Sequence, residues 1–257
     1  MDKKNITSMQ NPIIKLVKEL QKKKAARKKN QLFIVEGIRA VQEIPNKQMI
    51  EYLIVSNKLD EAIYHTLSAR KVLVLPEDLF FEISDTQTPQ GMMAIVKIPD
   101  ISLEEICLSD GPYLILENLQ DPGNLGTIIR TAHAFNFKGI FITKGSVDLY
   151  SPKVVRSTMS SLFYMPIITD ETIETYITYL KAKGITLYTT ALTERAKPIQ
   201  ETIFEKKMAL IIGNEGNGVS PYCLEETDHT VIIPMPGGAE SLNASIAAAV
   251  CMYEITR

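Results

Sequence analysis

The sequence is poor in the residues that mark metal enzymes and secreted proteins. Its three cysteines, Cys107, Cys223 and Cys251, form no CxxC pair, and its three histidines have no i, i+4 or cysteine partner. This spacing matches no known zinc-site pattern, so we predict that the protein binds no metal. Cysteines so far apart along the chain favour a reducing compartment.

Long apolar runs are also missing. No stretch approaches the length that would span a bilayer, and the lysine-rich start lacks the apolar segment of a secretory signal. We therefore expect no membrane association and a cytoplasmic location. The chain of 257 residues is 45% apolar and 23% charged, which is ample for packed cores in one large domain or two ordinary ones.

Several common catalytic signatures are absent. The glycine loop at 213–218 follows an apolar run, but its spacing is GxxGxG instead of the GxGxxG of dinucleotide-binding proteins. No GxxxxGK[ST] segment and no GxSxG segment occurs anywhere in the chain. The sequence thus argues against a dinucleotide enzyme, a P-loop protein and a serine hydrolase.

Positive charge is concentrated at the start of the chain. Residues 1–30 carry ten Lys or Arg against two acidic residues, a net charge of +8, whereas the overall charge of −2 leaves −10 for the remainder. Phosphate contacts are expected at this basic stretch, although a solvated helix face would show the same pattern. The candidate RNA-binding residues are Lys22, Lys23, Lys24, Arg27, Lys28 and Lys29.

The first part of the chain predicts a small α/β/α domain. Apolar residues at helical spacing predict one helix over 12–29, and Pro76 opens a second helix that runs to residue 83. Strands are predicted at 32–36, 52–56, 72–75 and 92–97. A linker over 97–112 then places the domain boundary near residue 105, which gives domains 1–105 and 106–257.

The second part predicts an α/β domain with a parallel sheet. Short β-branched or aromatic runs alternate with helical stretches, as buried parallel strands do, and an alanine-rich helix over 241–255 closes the chain. The predicted strands are 113–117, 139–143, 165–168, 186–190, 208–212 and 230–233. Loops that follow such strands gather at one sheet edge, where α/β proteins place ligand sites.

Polar loops at 118–130, 211–221 and 232–245 follow three of these strands. In the first loop, Asn124 is a candidate helix cap, and Arg130 lies about two turns further along the same helix. The two side chains could point into one pocket, or they could be only a cap and a surface cation.

The second and third loops suit a ligand that approaches the main chain closely. Gly213 begins a glycine-rich segment whose one acidic residue is Glu215. The third loop leads to Ser241 and Asn243 at the predicted start of the last helix, where free N–H groups can bind polar atoms. Ser241 could equally be a plain helix cap.

Taken together and in this order, the three loops resemble the motifs of the SpoU (TrmH-like) branch of the SPOUT RNA methyltransferases, over about residues 112–257. The family Asn and Arg of the first motif correspond to Asn124 and Arg130. The Gly and Glu of the second and the Ser-Leu-Asn of the third correspond to Gly213, Glu215, Ser241, Leu242 and Asn243. One mild departure is Ala244, where the family usually has Val.

The resemblance implies a cofactor and a fold. In the family, main-chain groups at the positions of Gly213, Ile233 and Leu242 hold S-adenosylmethionine, and Thr190 or Ala191 lines its adenine. The C-terminal segment threads through a loop to form a deep trefoil knot, against the general rule that chains do not knot. Segments 6–15, 33–39 and 88–91 resemble a ribosomal-protein-like RNA-binding domain that precedes the methyltransferase domain in several members.

The predicted function is methyl transfer from S-adenosylmethionine to a ribose 2′-hydroxyl of RNA, with ribosomal RNA favoured over transfer RNA. Arg130 would activate the hydroxyl or clamp a phosphate. A base-directed SPOUT methyltransferase and a non-catalytic RNA-binding protein are the alternatives. A homodimer is expected because the last helix is apolar over most of its circumference. The predicted catalytic residues are Asn124, Arg130, Glu215, Ser241 and Asn243.

Overall fold

A computed structural model describes residues 2–67, 69–106, 108–239 and 241–257. The chain divides into two compact units, the first comprising Met1–Asp100 with Asp148–Phe163 and the second Ile101–Val147 with Tyr164–Arg257. Cys107 lies outside the described residues, so the structure informs the prediction of a reducing compartment only through Cys223 and Cys251. Both of these cysteines are free and buried.

The first unit is built on a mixed sheet of five strands in the order β1-β4-β3-β5-β2. The strands are β1 (Asp2–Asn5), β2 (Leu32–Glu36), β3 (Ile50–Ser56), β4 (Lys71–Leu75) and β5 (Met92–Lys97). The four predicted strands are confirmed with small changes at their ends. Strand β1 was not predicted, because its polar sequence carries no apolar alternation, and pairing with β4 is what makes it a strand.

Helices α1 (Pro12–Lys22), α2 (Lys24–Asn30), α3 (Ile38–Gln42) and α4 (Glu77–Ile83) accompany this sheet. The prediction of one continuous helix over 12–29 is wrong, because Lys23 is extended and separates α1 from α2. Asn11 caps α1 by accepting a hydrogen bond from the N–H of Ile13 at 2.9 Å. One face of α1 is buried in a core that it shares with β2, β3, β4 and α4.

The segment 148–163 belongs to the first unit, although its neighbours on both sides in the chain belong to the second. It contains α6 (Pro152–Ser157) and a short 3₁₀ helix, Ser161–Phe163. The ring of Tyr150 packs on Phe33 of β2 with centroids 4.8 Å apart. The predicted division at residue 105 treated each domain as one continuous stretch, and this excursion departs from it. Nothing in the local sequence distinguishes such a segment from an ordinary strand-to-strand connection.

The second unit has a seven-stranded, wholly parallel sheet in the order β10-β12-β9-β11-β6-β7-β8. Its strands are β6 (Gly111–Leu116), β7 (Gly139–Thr143), β8 (Ile167–Glu171), β9 (Thr186–Thr190), β10 (Lys197–Pro198), β11 (Lys207–Ile212) and β12 (His229–Ile232). All six predicted strands are confirmed within a few residues, and β10 is an addition.

Helices α5 (Pro122–Ala134), α7 (Ile173–Ala182), α8 (Pro221–Glu226) and α9 (Ala244–Thr256) complete the second unit, with a 3₁₀ turn at Ile199–Glu201. Strands β6, β7, β9 and β11 share an apolar core with α7. No helix in the described part of the chain is long and apolar enough to cross a membrane.

The helix caps differ from those predicted, and the difference matters for the site. Asp121 caps α5 by accepting a hydrogen bond from the N–H of Asn124 at 2.8 Å. Asn243, and not Ser241, caps α9 by accepting from the N–H groups of Ser245 and Ile246. The Asn124 side chain is therefore free for another partner.

Candidate active site

The polar loops lie together because of the strand order in the second unit. Strands β12, β9, β11 and β6 are consecutive in a parallel sheet, so their carboxyl ends meet at one edge. Gly213, Ile233 and Ala191 each follow one of these strands directly. The edge of the sheet is thus where the three polar loops converge, as predicted from the sequence.

Glu215 is the centre of a hydrogen-bond network between the first and second loops. One carboxylate oxygen accepts from the N–H of Asp121 at 3.0 Å and from the Asn124 amide at 3.1 Å. The other accepts from the N–H of Gln120 at 3.1 Å. The carboxylate therefore fixes the start of α5 relative to the loop after β11.

Asn124 extends this network to the third loop. Its Oδ1 atom accepts a hydrogen bond of 3.0 Å from the Nδ2 atom of Asn243. The Oδ1 atom of Asn243 in turn accepts from the Ser245 hydroxyl at 2.7 Å. Because Asn243 also caps α9, one chain of side chains connects all three loops, and we define Glu215, Asn124 and Asn243 as the loop network.

The hydrogen bonds that Glu215 accepts determine its charge state. Burial raises the pKa of this carboxyl, but the hydrogen bonds from Asp121, Asn124 and Gln120 together outweigh burial and leave the pKa below its usual value. Glu215 is consequently an anion at neutral pH. It can orient donors but is poorly suited to donate a proton itself.

Gly213 is required by the fold of the second loop. A Cβ atom at this position would lie 2.2 Å from the carbonyl carbon of Gly218. The loop folds back so closely because Asn214 and Gly218 exchange two main-chain hydrogen bonds of 2.9 Å. The resemblance gave Gly213 a cofactor-binding role, and the structure adds a steric reason for glycine there.

Arg130 and Ser241 are exposed and stand apart from the loop network. Within the described residues, neither side chain has a hydrogen-bond or salt-bridge partner. The guanidinium of Arg130 is thus available to a substrate. The structure brings Asn124, Glu215 and Asn243 into contact and leaves Arg130 and Ser241 unattached beside them in the chain.

The predicted cofactor-binding positions lie on consecutive strand ends. Ala191 donates its N–H to the carbonyl of Val231 at 3.2 Å, and the hydroxyl of Thr190 donates to the carbonyl of Ile211 at 3.4 Å. Across the described ranges, the main-chain N–H groups of Ile233 and Leu242 have no hydrogen-bond partner. Free main-chain donors beside small side chains are a donor set that fits an adenosine ligand.

Further polar residues of this edge escaped the sequence interpretation. Glu117, at the end of β6, is only 2% exposed and accepts from the N–H of Ser220 at 2.9 Å and the thiol of Cys223 at 3.3 Å. Asn214 donates to the carbonyl of Asn118 at 2.8 Å and ties the first two loops together again. Their position at or just after the ends of predicted strands was the one available signal.

Five of the six basic residues predicted to bind RNA are exposed, namely Lys22, Lys23, Lys24, Lys28 and Lys29. The structure contradicts the RNA-binding prediction for Arg27, because this residue is only 5% exposed. It forms an ion pair with Asp148, in which the Arg27 Nε atom donates to a carboxylate oxygen at 2.7 Å. Its guanidinium also donates to the carbonyls of Leu20 and Gln21. Arg27 therefore holds the 148–163 segment and is not available to a phosphate.

Within residues 2–67, 69–106, 108–239 and 241–257, no group of three or more His, Cys, Asp or Glu side chains is placed to hold a metal ion.

The fold and the converging loops define an α/β protein with a parallel sheet and a ligand edge formed by three polar loops. The model of the SpoU rRNA Methylase family matches residues 111–253, and that of the MRM3-like substrate binding domain matches residues 11–94. The chain belongs to the SpoU rRNA methylase family, with an N-terminal substrate-binding domain.

Relatives and solved structures agree with this assignment. The chain is 35% identical over 254 residues to the 23S rRNA (guanosine(2553)-2′-O)-methyltransferase RlmP of Bacillus subtilis, covering 98% of this chain and 99% of the relative. The AdoMet-bound rRNA methyltransferase from Sinorhizobium meliloti superposes with a TM-score of 0.88 at 29% identity, covering 98% and 97%. The SpoU methyltransferase AviRb from Streptomyces viridochromogenes, in complex with AdoMet, gives 0.88 at 27% identity, covering 96% and 98%.

Proposed function

We propose that the protein transfers a methyl group from S-adenosylmethionine to a ribose 2′-hydroxyl of ribosomal RNA. The observation that carries this proposal is the loop network, in which Asn124, Glu215 and Asn243 join three loops at the carboxyl edge of the sheet. The RNA 2′-O-methyltransferase relatives and the AdoMet-bound structures support both the reaction and the cofactor.

The cofactor and the side chains have separate tasks in this reaction. S-adenosylmethionine, when bound, supplies a sulfonium methyl group that is already reactive. Main-chain groups at Gly213, Ile233 and Leu242 would hold it, and Thr190 or Ala191 would line its adenine. The task left to side chains is to hold the ribose hydroxyl in line, and such orientation accounts for roughly 7–11 kcal/mol of a barrier.

Arg130 is the residue proposed to act on the ribose or its phosphate. A guanidinium stays protonated in proteins, so it is a better clamp for a phosphate or a developing oxyanion than a general base. Its exposure, without a partner in the described part of the chain, leaves all its donors for the substrate. The loop network would position the helix that carries it, and Ser241 would orient the ribose.

The N-terminal domain, about residues 1–105 with the 148–163 segment, is proposed to bind RNA, and the rest of 106–257 to carry out the transfer. The exposed lysines of α1 and α2 and the match to a substrate-binding domain support this division. Ribosomal RNA is favoured over transfer RNA because the relatives named above act on ribosomal RNA. The same relatives support a cytoplasmic location.

We also propose a homodimer and a C-terminal knot. On α9, Ile246 and Tyr253 remain 52% and 54% exposed, and the Tyr253 ring packs edge-on against Phe135 at 6.2 Å. This apolar surface, beside the helix that carries Arg130, suits a second copy of the chain. Light scattering at micromolar concentration tests the dimer, and an active monomer of about 29 kDa would contradict it.

The reaction is tested by incubating the full chain with unmodified ribosomal RNA and cofactor labelled on the methyl group. Digestion to nucleosides should recover the label on ribose. Label on a base would support a base-directed enzyme instead, and no transfer to any RNA would support a non-catalytic binding protein. Mass spectrometry of ribosomal RNA from a deletion strain then identifies the nucleotide.

A further inference from the structure

A cavity of about 530 Å³ opens at the carboxyl ends of β6 and β11, beside the loop network. Its volume lies within the range of about 300–1,000 Å³ that is usual for small-molecule sites. Its lining residues are Glu117, Asn118, Gln120, Asn214, Asn217, Gly218, Val219, Ser220 and Pro221.

The charge of the lining excludes a phosphate as the occupant. The lining residues include no Lys, Arg or His, and the one charged side chain is Glu117. One of its carboxylate oxygens is taken by Ser220 and Cys223, whereas the other, in a residue 2% exposed, has no partner in the described ranges. A carboxylate oxygen in this position suits a ligand that carries N–H or O–H donors and disfavours an anion.

The lining amides fall into two groups. Those of Gln120 and Asn214 are used inside the protein, where they donate to the carbonyls of Asn118 and Gly145. The side-chain amides of Asn118 and Asn217 have no hydrogen-bond partner among the described residues. Each offers a donor and an acceptor, the combination that reads the edge of a nucleobase.

The backbone at Asn118 holds its amide at this place. Asn118 has φ +53°, in the left-handed region that Asn tolerates better than most residues. Its N–H donates to the Thr143 hydroxyl at 2.9 Å, and its carbonyl accepts from Asn214 and Gln120. The main chain is therefore fixed on several sides while the side chain stays free.

We propose that this cavity receives the base of the nucleotide whose ribose is methylated, with Asn118 and Asn217 as specificity-determining residues. The inference rests on the proposed function, because it names what the same site recognises. Because no Lys, Arg or His lines the cavity that would hold the base, Arg130 is left to act on the ribose and phosphate.

The test uses the full chain with Asn118→Gly, which keeps the positive φ accessible, and Asn217→Ala. On unmodified large-subunit ribosomal RNA, each variant should lower kcat/KM about tenfold, the usual effect of removing one hydrogen bond. Affinity for S-adenosylmethionine should not change. The control is Asn136→Gly, an exposed residue of the same unit with φ +57°, which should leave kcat/KM unaltered.

The outcomes separate this proposal from the proposed function. Suppose that the wild type is active and that the double variant, Asn118→Gly with Asn217→Ala, keeps the same kcat/KM and target nucleotide. That result would overturn the base-pocket proposal and leave the proposed function standing. Lower cofactor affinity in the variants would assign the cavity to the cofactor and also overturn it. An inactive wild type would instead count against the proposed function.

A binding measurement that needs no turnover tests the base pocket even if the wild type is inactive. Side-chain amide signals of Asn118 and Asn217 are followed by NMR as the 5′-monophosphates of guanosine, adenosine, cytidine and uridine are added with S-adenosylhomocysteine. One nucleotide should shift both signals more than the other three do. Equal shifts with all four, or shifts absent at millimolar concentrations, would contradict base reading.

Discussion

Asn124 and Glu215, which are 91 positions apart in the chain, are joined by a hydrogen bond of 3.1 Å from the Asn124 Nδ2 atom to a Glu215 carboxylate oxygen. The amide oxygen of Asn124 accepts from Asn243 at the same time. One asparagine therefore uses both ends of its amide to hold the second and third loops to the start of α5.

Removing that amide should impair transfer more than folding. In Asn124→Ala, Glu215 loses a donor and Asn243 loses its acceptor, so the loops lose their fixed positions. We expect the transfer rate to fall by about 10²-fold or more, the lower end for loss of a positioning group. Affinity for S-adenosylmethionine, measured by calorimetry, should change little. Thr127→Ala, at an exposed position of the same helix, should behave like wild type.

Arg130→Ala should lower the transfer rate by at least about 10²-fold, because the variant loses the guanidinium proposed to hold the ribose or its phosphate. Arg130→Lys keeps the charge but loses the planar donor pair, so it should recover only part of the rate. Single-turnover kinetics with labelled cofactor measure both, and Arg257→Ala is the exposed-arginine control. Full activity in a folded Arg130→Ala protein would remove this residue from the mechanism.

Acid should remove the stabilising effect of Glu215. The pKa of Glu215 in the folded chain lies below its usual 4.5, so its contribution is complete above that pH and disappears as the pH falls through the folded pKa. We expect Glu215→Gln to lower the free energy of unfolding near neutral pH, and we expect the difference from wild type to disappear as the pH falls through the folded pKa. Thermal unfolding across this range is the measurement. A difference that does not depend on pH would show that charge is not the cause.

The ion pair between Arg27 and Asp148 should matter for stability and not for RNA binding. Arg27→Ala removes the cation from Asp148, whose side chain is only 15% exposed, and should cost about 3–5 kcal/mol in urea unfolding. By contrast, Arg39→Ala breaks a pair whose arginine side chain is 80% exposed, and should leave the free energy of unfolding almost unchanged. A small effect of Arg27→Ala would mean that the pair does not hold the 148–163 segment.

The exposed lysines of residues 22–29 should set the salt dependence of RNA binding. Each RNA phosphate that a variant no longer binds reduces the log–log slope of affinity against salt by roughly 0.7 to 0.9. Neutralising Lys22, Lys23, Lys24, Lys28 and Lys29 together should therefore flatten the slope, with cofactor affinity unchanged. The control set neutralises Lys144, Lys181, Lys183, Lys206 and Lys207 of the second unit. Equal slopes for wild type and the first variant would make this stretch merely a solvated helix face.

Elements with a strong apolar pattern were predictable from sequence, and elements formed by pairing were not. The strands at 139–143 and 186–190 were predicted at their observed bounds because each is a short β-branched or aromatic run. Strands β1 and β10 are polar, and only their partners β4 and β12 make them strands. The break between α1 and α2 at Lys23 could not be predicted, because lysine is compatible with both helical and extended backbone.

The sequence by itself determined the family, the parallel α/β domain and the residues of the three loops. The spacing of these loops after apolar strands can be recognised in the sequence before any contact is known. Tertiary structure alone decided which of those residues meet. The Asn124 side chain forms a hydrogen bond with Glu215 instead of capping a helix. Arg27 is buried against Asp148, which is 121 positions away in the chain. Partners so distant in the chain are set by the packing of whole elements, and no local pattern encodes them.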